Sequence, residues 1–231
     1  MLATGSTRFS FLLFLSLLAT VQAADTAPNH VLRLDGDGDY AQLPGDMFND
    51  LEQATIEAWI NWGDYGYFTQ PFAFGGDEVF QGMGFNHAGQ SSILQFFIYD
   101  RDHKLYLIQA PSDLPTGQWS HLAAVSGRGG MKLYLNGALV GTNPHTSSFA
   151  SIGASPDNYL GKSHWGVNLD FLGALDEVRV WSAARSGAQI RSAMHRRLAG
   201  DEPDLAALWN FDACINLARC ATYLRTPTTL A

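Results

Sequence analysis

Three aspartates that alternate with two glycines, in residues 34–40, are the residues whose types and spacing point most directly to chemistry. The carboxylates of Asp35, Asp37 and Asp39 lie close enough to repel one another, and the glycines let the backbone turn tightly. A hard cation such as calcium, which takes about six to eight oxygen ligands, would relieve that repulsion. A polar turn between two strands is the alternative, because Asp and Gly are ordinary turn residues. Local sequence leaves both interpretations open.

An EF-hand calcium loop does not fit this stretch. That motif needs Gly at its sixth position and a bidentate Glu at its twelfth, with a helix on each side. Counted from Asp35, those positions hold Tyr40 and Asp46, and the flanking residues have the composition of strands. The EF-hand is therefore excluded.

The overall composition predicts a folded domain that does not favour anionic partners. The chain has 231 residues, of which 46% are hydrophobic, 12% aromatic and 16% charged, and this is enough for one sizeable core. Low charge and many aromatic residues argue against disorder. The net charge of -8 makes nucleic acid and anionic membrane surfaces poor partners.

Residues 1–23 have the pattern of a secretory signal peptide. Residues 9–19 form a short apolar run, and Val21, Gln22 and Ala23 end in the small-x-small pattern that signal peptidase accepts. An uncleaved anchor is the alternative, but the apolar run is short for a membrane span. We therefore expect a secreted protein, periplasmic or extracellular, with no integral membrane segment after signal removal.

The C-terminal residues differ in character from the rest of the chain. Cys214 and Cys220 lie near this end, and an oxidising compartment favours a disulfide between them. The loop that this bridge would close is small, so its stabilisation is modest. Residues 213–231 otherwise show no clear alternation, which predicts an irregular tail after a single domain at residues 24–212.

Between these ends the sequence alternates as β-strands do. In Ala54–Trp62, one face carries Ile56, Ala58, Ile60 and Trp62, and the other carries Thr55, Glu57, Trp59 and Asn61. Similar segments separated by turn residues continue to Val125, and Asn136 with Gly137 predicts a type I′ hairpin. The sequence thus predicts an antiparallel, strand-dense domain.

A later alternating segment, residues 173–181, places a carboxylate in an unusual position. Asp176 shares a predicted face with Val178 and Val180, so it lies on an apolar row that should face the core. An unpaired carboxylate there would be strongly destabilising. Asp176 therefore needs hydrogen-bonding partners or a metal.

One short helix is predicted after this strand. It begins with a capping box formed by Ser186 and Gln189. Ile190 and Leu198 keep the helical spacing, and Gly200 suits the C-terminal cap. The helix is thus expected to extend almost to Gly200.

Six motifs, taken in order, make the chain resemble the LamG-like jelly roll, the concanavalin A-like sandwich of laminin G and pentraxin domains. They lie at residues 32–36 with Asp39 and Tyr40, and at 55–60, 119–125, 133–137, 160–161 and 173–181. Each motif is weak alone, but all six in the family's order over about residues 30–200 are specific. The resemblance implies an all-β fold, an antiparallel β-sandwich with one short C-terminal helix.

The resemblance also implies a calcium ion at the rim of the sandwich. The family's ligand positions match Asp35, with Asp37 or Asp39 nearby, and Asp176. Such an ion would tie the first and last core strands together, so its expected role is structural. Calcium is accordingly the cofactor expected for this chain.

Three function classes were compared: an enzyme, a structural or sensing unit, and a binding module. A glycoside hydrolase-like enzyme would need carboxylates at alternating positions of one strand, whereas Asp176 and Glu177 are adjacent and so predicted to lie on opposite faces. The second class is a structural or adhesion unit, or a sensing module derived from a larger receptor. The sequence thus predicts a protein that is not an enzyme.

A binding module for a glycan or an extracellular protein is the favoured class. Aromatic side chains in loops can stack on sugar rings or peptide side chains. Packing against the edges of the sandwich is the alternative role for such residues. The candidate ligand contacts, all in or beside predicted loops, are Trp62, Tyr65, Tyr67, His164 and Trp165.

Overall fold

Alternating apolar residues form strands throughout the described part of the chain, which comprises residues 28–75, 81–153, 157–212 and 224–225 of a computed structural model. In chain order, strands β1 to β14 are Leu32–Asp35, Tyr40–Pro44, Ala54–Trp62, Phe72–Phe74, Gly82–His87, Ile93–Tyr99, Leu105–Asp113, Trp119–Ser126, Met131–Leu135, Ala138–Asn143, Asp157–Leu160, Leu172–Trp181, Leu205–Trp209 and Leu224–Arg225. Helix α1 is Gly187–Ala193, between β12 and β13. No helix among the described residues has the length and apolar character that a membrane span requires.

The strands form two antiparallel sheets. The first has the order β1-β12-β3-β8-β9-β10, and β13 also pairs with β12. The second has the order β14-β2-β11-β4-β5-β6-β7. This architecture confirms the predicted all-β fold, an antiparallel sandwich with one short helix near its C-terminal end.

The core lies between the sheets and follows the alternation of each strand. The predicted alternation of β3 is confirmed, and the face of Ile56, Ala58, Ile60 and Trp62 is the inward one, since these residues are at most 1% exposed. They join one cluster with aromatic residues of the second sheet, chiefly Phe72, Phe74, Phe85 and Phe96. Burying each such side chain contributes about 1.5–3 kcal/mol, so this cluster is a main source of stability.

The predicted hairpin turn is also confirmed. Asn136 and Gly137 connect β9 to β10, and both have positive φ, at 49° and 77°. A type I′ turn requires positive φ at both positions, which Asn and Gly tolerate better than other residues.

Strand β12 departs from its predicted alternation at Glu177. Asp176 lies opposite Trp59 of β3, but Arg179 lies opposite Glu57, so one extra residue bulges between them. Glu177 has a φ of 50°, which marks the bulge. The prediction that Asp176 shares the core-facing row of Val178 is therefore wrong, because the bulge shifts the phase. Asp176 and Glu177 both end on the outer side of the first sheet.

Helix α1 begins as predicted and ends early. The capping box is present, since Ser186 accepts from the backbone N–H of Gln189 and the Gln189 side chain accepts from Ser186 N–H. The predicted extension to Gly200 is wrong, because the helix ends at Ala193. The Arg179 guanidinium donates to the carbonyl of Ala193 at 3.0 Å and to that of Arg196 at 2.6 Å, which satisfies carbonyls at the helix end.

The two ends of the domain meet on one edge of β12. Strand β1 pairs with residues 172–175 and β13 with residues 178–181, both on the side away from β3. Arg197 links the ends, because it donates to the carbonyl of Pro28 at 3.0 Å and to Asp212 at 2.9 Å. The predicted signal peptide and the predicted Cys214–Cys220 disulfide lie outside the described residues, so both stay predictions.

Candidate functional site

The register of β12 separates the residues predicted to share a calcium ion. Asp35, the last residue of β1, lies opposite Leu172, whereas Asp176 is four positions further along β12. At about 3.3 Å per residue, this spacing is about 13 Å. Asp35, Asp37 and Asp39 therefore lie beyond the reach of an ion that Asp176 could bind.

Carboxylates accept hydrogen bonds from the backbone of the acidic turn. Asp35 accepts the N–H of Asp37 at 2.9 Å, and Asp170 accepts the N–H of Gly38 at 3.0 Å. Burial, followed by the nearby carboxylate of Asp35, raises the pKa of Asp39. These contacts are those of a polar turn between β1 and β2, the alternative that the sequence left open.

The side chain of Asp176 is likewise engaged by neutral donors. It accepts from Asn29 Nδ2 at 2.9 Å and from the N–H of Glu177 at 2.8 Å. Among the described residues, no group of three or more His, Cys, Asp or Glu is arranged to hold a metal ion. The four aspartates therefore do not fit the calcium site that the family resemblance implies.

Calcium is expected to have no effect on the stability of this fold. We expect thermal melts with millimolar calcium and with excess chelator to coincide within error, because no group of three or more His, Cys, Asp or Glu among the described residues is arranged to hold a metal ion. Differential scanning calorimetry of the full-length protein measures this. A calcium-dependent rise in Tm that disappears in Asp35→Asn would instead assign a metal to the turn alone.

Of the predicted ligand contacts, Trp62 lies inside the sandwich and Tyr65 is partly buried. Trp62 is 1% exposed and packs against Phe171 and His87 in the core. Tyr65 is half-buried, donates its hydroxyl to the carbonyl of Leu114 and packs edge-on against His87. The prediction that Trp62 contacts a ligand at the surface does not agree with its burial. Trp62 is the last residue of β3, but it alternates with the core residues of that strand and points into the core with them.

The other predicted contacts lie at the surface but in two places. Tyr67 is 44% exposed at one end of the sandwich. His164 packs on Tyr159, with ring centroids 5.0 Å apart, and Trp165 packs on Phe97 at 5.5 Å. His164 and Trp165 therefore belong to the outer face of the second sheet, and Tyr67 does not.

Register brings the residues of this outer face into one row across five neighbouring strand pairs. From β2 to β7 the row reads Gln42, Tyr159, Ala73, Gly84, Phe97 and Leu107. The small residues Ala73 and Gly84 separate two groups of aromatic rings. We call the two groups together the aromatic face; its members are Tyr40, Phe97, Tyr99, Tyr159, His164 and Trp165.

Each group of the aromatic face is held by ring contacts. Tyr40 and Tyr159 meet edge-on at 5.5 Å, and the Lys162 ammonium lies 4.2 Å from the Tyr40 ring centre. On the other side, Trp165 contacts both Phe97 and Tyr99. Because His164 and Trp165 are adjacent in the chain, the loop after β11 connects the two groups.

A second row of the same sheet supplies amide groups. Asn86 of β5 pairs with Gln95 of β6, which pairs with Gln109 of β7. These residues alternate with core residues such as Phe85 and Phe96, so they face outward with the aromatic face. The Asn86 side-chain oxygen is buried and has no hydrogen-bond partner among the described residues. The outer surface of the second sheet thus combines ring faces with amides.

A buried charge network lies behind the first sheet, and sequence reasoning missed it. Arg179, 1% exposed, donates to Glu177 at 2.7 Å and to Glu57 at 3.4 Å. Glu57 also accepts from Trp181 Nε1 at 2.9 Å. The signal in the sequence was the polar face of β3, on which Glu57 was placed without a partner. These contacts couple β3, β12 and α1, which suggests a structural role.

Two histidines are buried, and one of them, His121, has its Nε2 atom 3.7 Å from the Glu57 carboxylate. Burial lowers the pKa of His87 to about 4. Burial, together with the charges of Arg179 and His195, lowers the pKa of His121 to about 3. His87 is fully buried, and neither of its ring nitrogens has a hydrogen-bond partner among the described residues.

The strand order, antiparallel pairing and single core define a β-sandwich of the jelly-roll class. The family model described as the concanavalin A-like lectin/glucanases superfamily matches residues 35–191. The chain therefore belongs to that superfamily, as its sequence motifs predicted.

One curated relative matches part of the chain. A stretch of 115 residues is 33% identical to pappalysin-1 of Mus musculus. The match covers 49% of this chain and 7% of pappalysin-1, so the chain corresponds to a small part of that protein's length.

Several solved structures share the fold at low sequence identity. A Bacteroides ovatus protein described as carbohydrate-binding is 20% identical, with a TM-score of 0.63, and the match covers 81% of this chain and 52% of that protein. The CBM40 of Ruminococcus gnavus IT-sialidase, bound to α2,3-sialyllactose, is 14% identical, with a TM-score of 0.61 and coverage of 71% and 95%. Domain 4 of AbnA, an extracellular arabinanase of Geobacillus stearothermophilus, is 22% identical, with a TM-score of 0.58 and coverage of 70% and 75%.

Proposed function

We propose that this protein is a secreted, non-catalytic module that binds a glycan on the aromatic face of its second sheet. The observation that carries the proposal is the row in which small residues separate two groups of rings. The similar structures whose names describe carbohydrate binding support the same class of ligand. Export is proposed from the signal-like residues 1–23.

The spacing of the rings suits an oligosaccharide. Tyr159 and Phe97 lie three strand spacings apart, which is about 14 Å at about 4.8 Å per spacing. Ala73 and Gly84 keep the surface between them low, because any side chain at Gly84 would meet the Phe97 ring. Phe97 is 3% exposed beneath Trp165, so a sugar chain laid across this row would meet the partly exposed rings of Tyr159 and Trp165.

Hydrogen-bonding groups lie beside the rings. Lys162, held over Tyr40 and Tyr159, offers an ammonium donor. In the amide row, Asn86 and Gln95 are 5% and 8% exposed, so Gln109, which is exposed, offers the donor and acceptor that hydroxyl groups can use. Apolar ring faces with a few placed polar groups are the usual composition of small-ligand sites.

The same surface argues for binding over catalysis. Hydrolysis of a glycoside normally uses two carboxyl groups about 5–9.5 Å apart across the bond. The described side chains of the aromatic face and the amide row are rings and amides, and Lys162 lies beside them. We therefore propose that this site holds its ligand without cleaving it.

The proposal is tested by screening the full-length protein against soluble oligosaccharides and measuring Kd of the best binder by calorimetry. We expect Trp165→Ala to weaken binding at least about tenfold, because it removes the ring that contacts Phe97 and Tyr99. Lys162→Ala should weaken binding less.

Tyr67→Ala is the matched control. Tyr67 is an exposed loop aromatic outside the aromatic face, so its loss should leave Kd unchanged. Thermal melts of each variant separate lost binding from lost folding. Binding that survives Trp165→Ala and fails in Tyr67→Ala would move the site to the end of the sandwich and overturn the proposal. Failure of every oligosaccharide to bind would also count against it.

A further inference from the structure

A pocket of about 480 Å³ opens on the outer face of the first sheet, the face opposite to the one on which we placed the glycan. It lies between the end of helix α1, strands β3, β8 and β12, and the residues before β1. Its volume falls within the range of about 300–1,000 Å³ that small-molecule sites occupy. The side chains that matter here are Asn29, Trp59, Trp119, Asp176, Met194 and His195.

Two indole rings line this pocket. Trp59 of β3 and Trp119 of β8 lie diagonally across neighbouring strands, since Trp59 is opposite His121 and Trp119 is opposite Asn61. Trp59 Nε1 donates to the carbonyl of Met194 at 2.8 Å, and its ring packs on His195 with centroids 5.3 Å apart. Trp119 is 39% exposed, although Trp is costly to leave in water. The Trp59 ring is therefore held in place by its neighbours, whereas the Trp119 ring is open to a ligand.

A buried carboxylate lines the pocket without a cationic partner. Asp176 is 8% exposed, and its two donors, Asn29 Nδ2 and the backbone N–H of Glu177, are neutral. Its acidic neighbours differ, because Glu177 is paired with Arg179 and Asp212 with Arg197. Burial first, and Asp212 in addition, raise the pKa of Asp176, whereas its hydrogen bonds and the charge of Arg179 lower it. Arg196 also lines the pocket, but the hydrogen bonds of Asp176 come from neutral groups, so its carboxylate remains open to a cationic ligand.

The lining favours an organic cation over a metal ion. Among the described residues, no group of three or more His, Cys, Asp or Glu around Asp176 is arranged to hold a metal ion, whereas calcium or magnesium needs several oxygen ligands. An ammonium group needs one carboxylate, and it gains further from the faces of tryptophan rings. Arg197, at the rim, is neutralised by Asp212 and by the carbonyl of Pro28.

We propose that this pocket is a second ligand site and that it binds a ligand carrying a protonated amine. Asp176 is the counter-ion, and the indole rings of Trp59 and Trp119 form the walls. An amino sugar and a lysine side chain carry the same ammonium chemistry. The proposal does not depend on the aromatic face, which lies on the other sheet.

The test follows the indole N–H signals of the 15N-labelled, full-length protein by NMR. Glucosamine and Nα-acetyl-lysine amide are the amine probes; N-acetylglucosamine and Nα,Nε-diacetyl-lysine amide are their uncharged counterparts. We expect the Trp119 signal, assigned with Trp119→Phe, to shift saturably with at least one amine and not with its acetylated counterpart. Whichever amine binds more tightly identifies the source.

Three variants complete the test. We expect Asp176→Asn, which keeps the shape and removes the charge, to weaken amine binding at least about tenfold. Trp119→Ala should weaken it about threefold and is expected to fold, because Trp119 is partly exposed. Leu139→Ala, an exposed position on β10, is the control and should change nothing.

Several results would overturn the proposal. They are equal shifts with the acetylated probes, unchanged affinity in Asp176→Asn, and no saturable shift with either amine. If Asp176→Asn unfolds, the salt dependence of the unsubstituted protein decides, since an ion pair must weaken as salt is raised. Amine binding that salt does not weaken would rule out the charge of Asp176 as the determinant.

Discussion

Arg179→Leu is expected to lower the free energy of unfolding by about 3–5 kcal/mol. The substitution leaves Glu57, which is fully buried, and Glu177, 8% exposed, without the guanidinium between them. It also removes the donors to the carbonyls of Ala193 and Arg196, where α1 ends. The loss is large because both carboxyl groups stay buried after their guanidinium partner is gone. Urea unfolding followed by tryptophan fluorescence measures it.

An exposed ion pair provides the control for this substitution. Arg128 and Glu52 meet at 3.0 Å, but their side chains are 86% and 70% exposed. We expect Arg128→Leu to leave the denaturant midpoint unchanged within error, because water screens such a pair. Adding Glu57→Gln and Glu177→Gln to Arg179→Leu should restore part of the lost stability. A midpoint that falls equally in Arg128→Leu and Arg179→Leu would refute the importance of burial.

Acid is expected to destabilise the fold between about pH 6.5 and pH 4. An unfolded histidine has a pKa of about 6.5, whereas burial lowers the pKa of His87 to about 4 and that of His121 to about 3 in the folded state. Over this range the unfolded chain binds protons that the folded chain excludes, so stability falls as pH falls. Each histidine should account for about 3 kcal/mol by pH 4.

Variants that cannot titrate isolate this effect. We expect His87→Gln and His121→Gln each to flatten the dependence of the unfolding free energy on pH between 6.5 and 4. His30→Gln, at an exposed position, should leave the slope as it is. The same slope in all four proteins would show that neither buried histidine is responsible. Chemical denaturation at half-unit pH intervals provides the measurement.

The sequence predicted those parts of the fold that are determined by a few adjacent residues. The alternation of β3 and the Asn136-Gly137 turn each depend on a few adjacent residues, and both are confirmed. The bulge at Glu177 depends on how β12 pairs with β3, and no residue around it indicates a positive φ. The early end of α1 likewise depends on Arg179, which lies before the helix in the sequence and reaches it only in the folded chain.

The candidate site was predictable only in part for the same reason. His164 and Trp165 stood out as aromatic residues beside loops. Phe97 lies in the apolar strand Ile93–Tyr99, and its neighbours in the sequence do not show which face of that strand is outward. Three successive strand pairings bring Phe97 into one row with Tyr159, and none of them is encoded near either residue. The aromatic residues in loops could be identified from the sequence. The surface to which they belong could be identified only from the order of strands in the sheet.

The meeting of both domain ends at one edge of β12 has a mechanical consequence. A pulling force applied at residues 28 and 212 would act first on the links that Arg197 makes to Pro28 and Asp212. The next bonds to bear the load would be those of β1 and β13 to β12. The second sheet and its aromatic face lie outside this load path. Tension carried through the chain would therefore open the edge of the first sheet while the proposed glycan surface kept its shape.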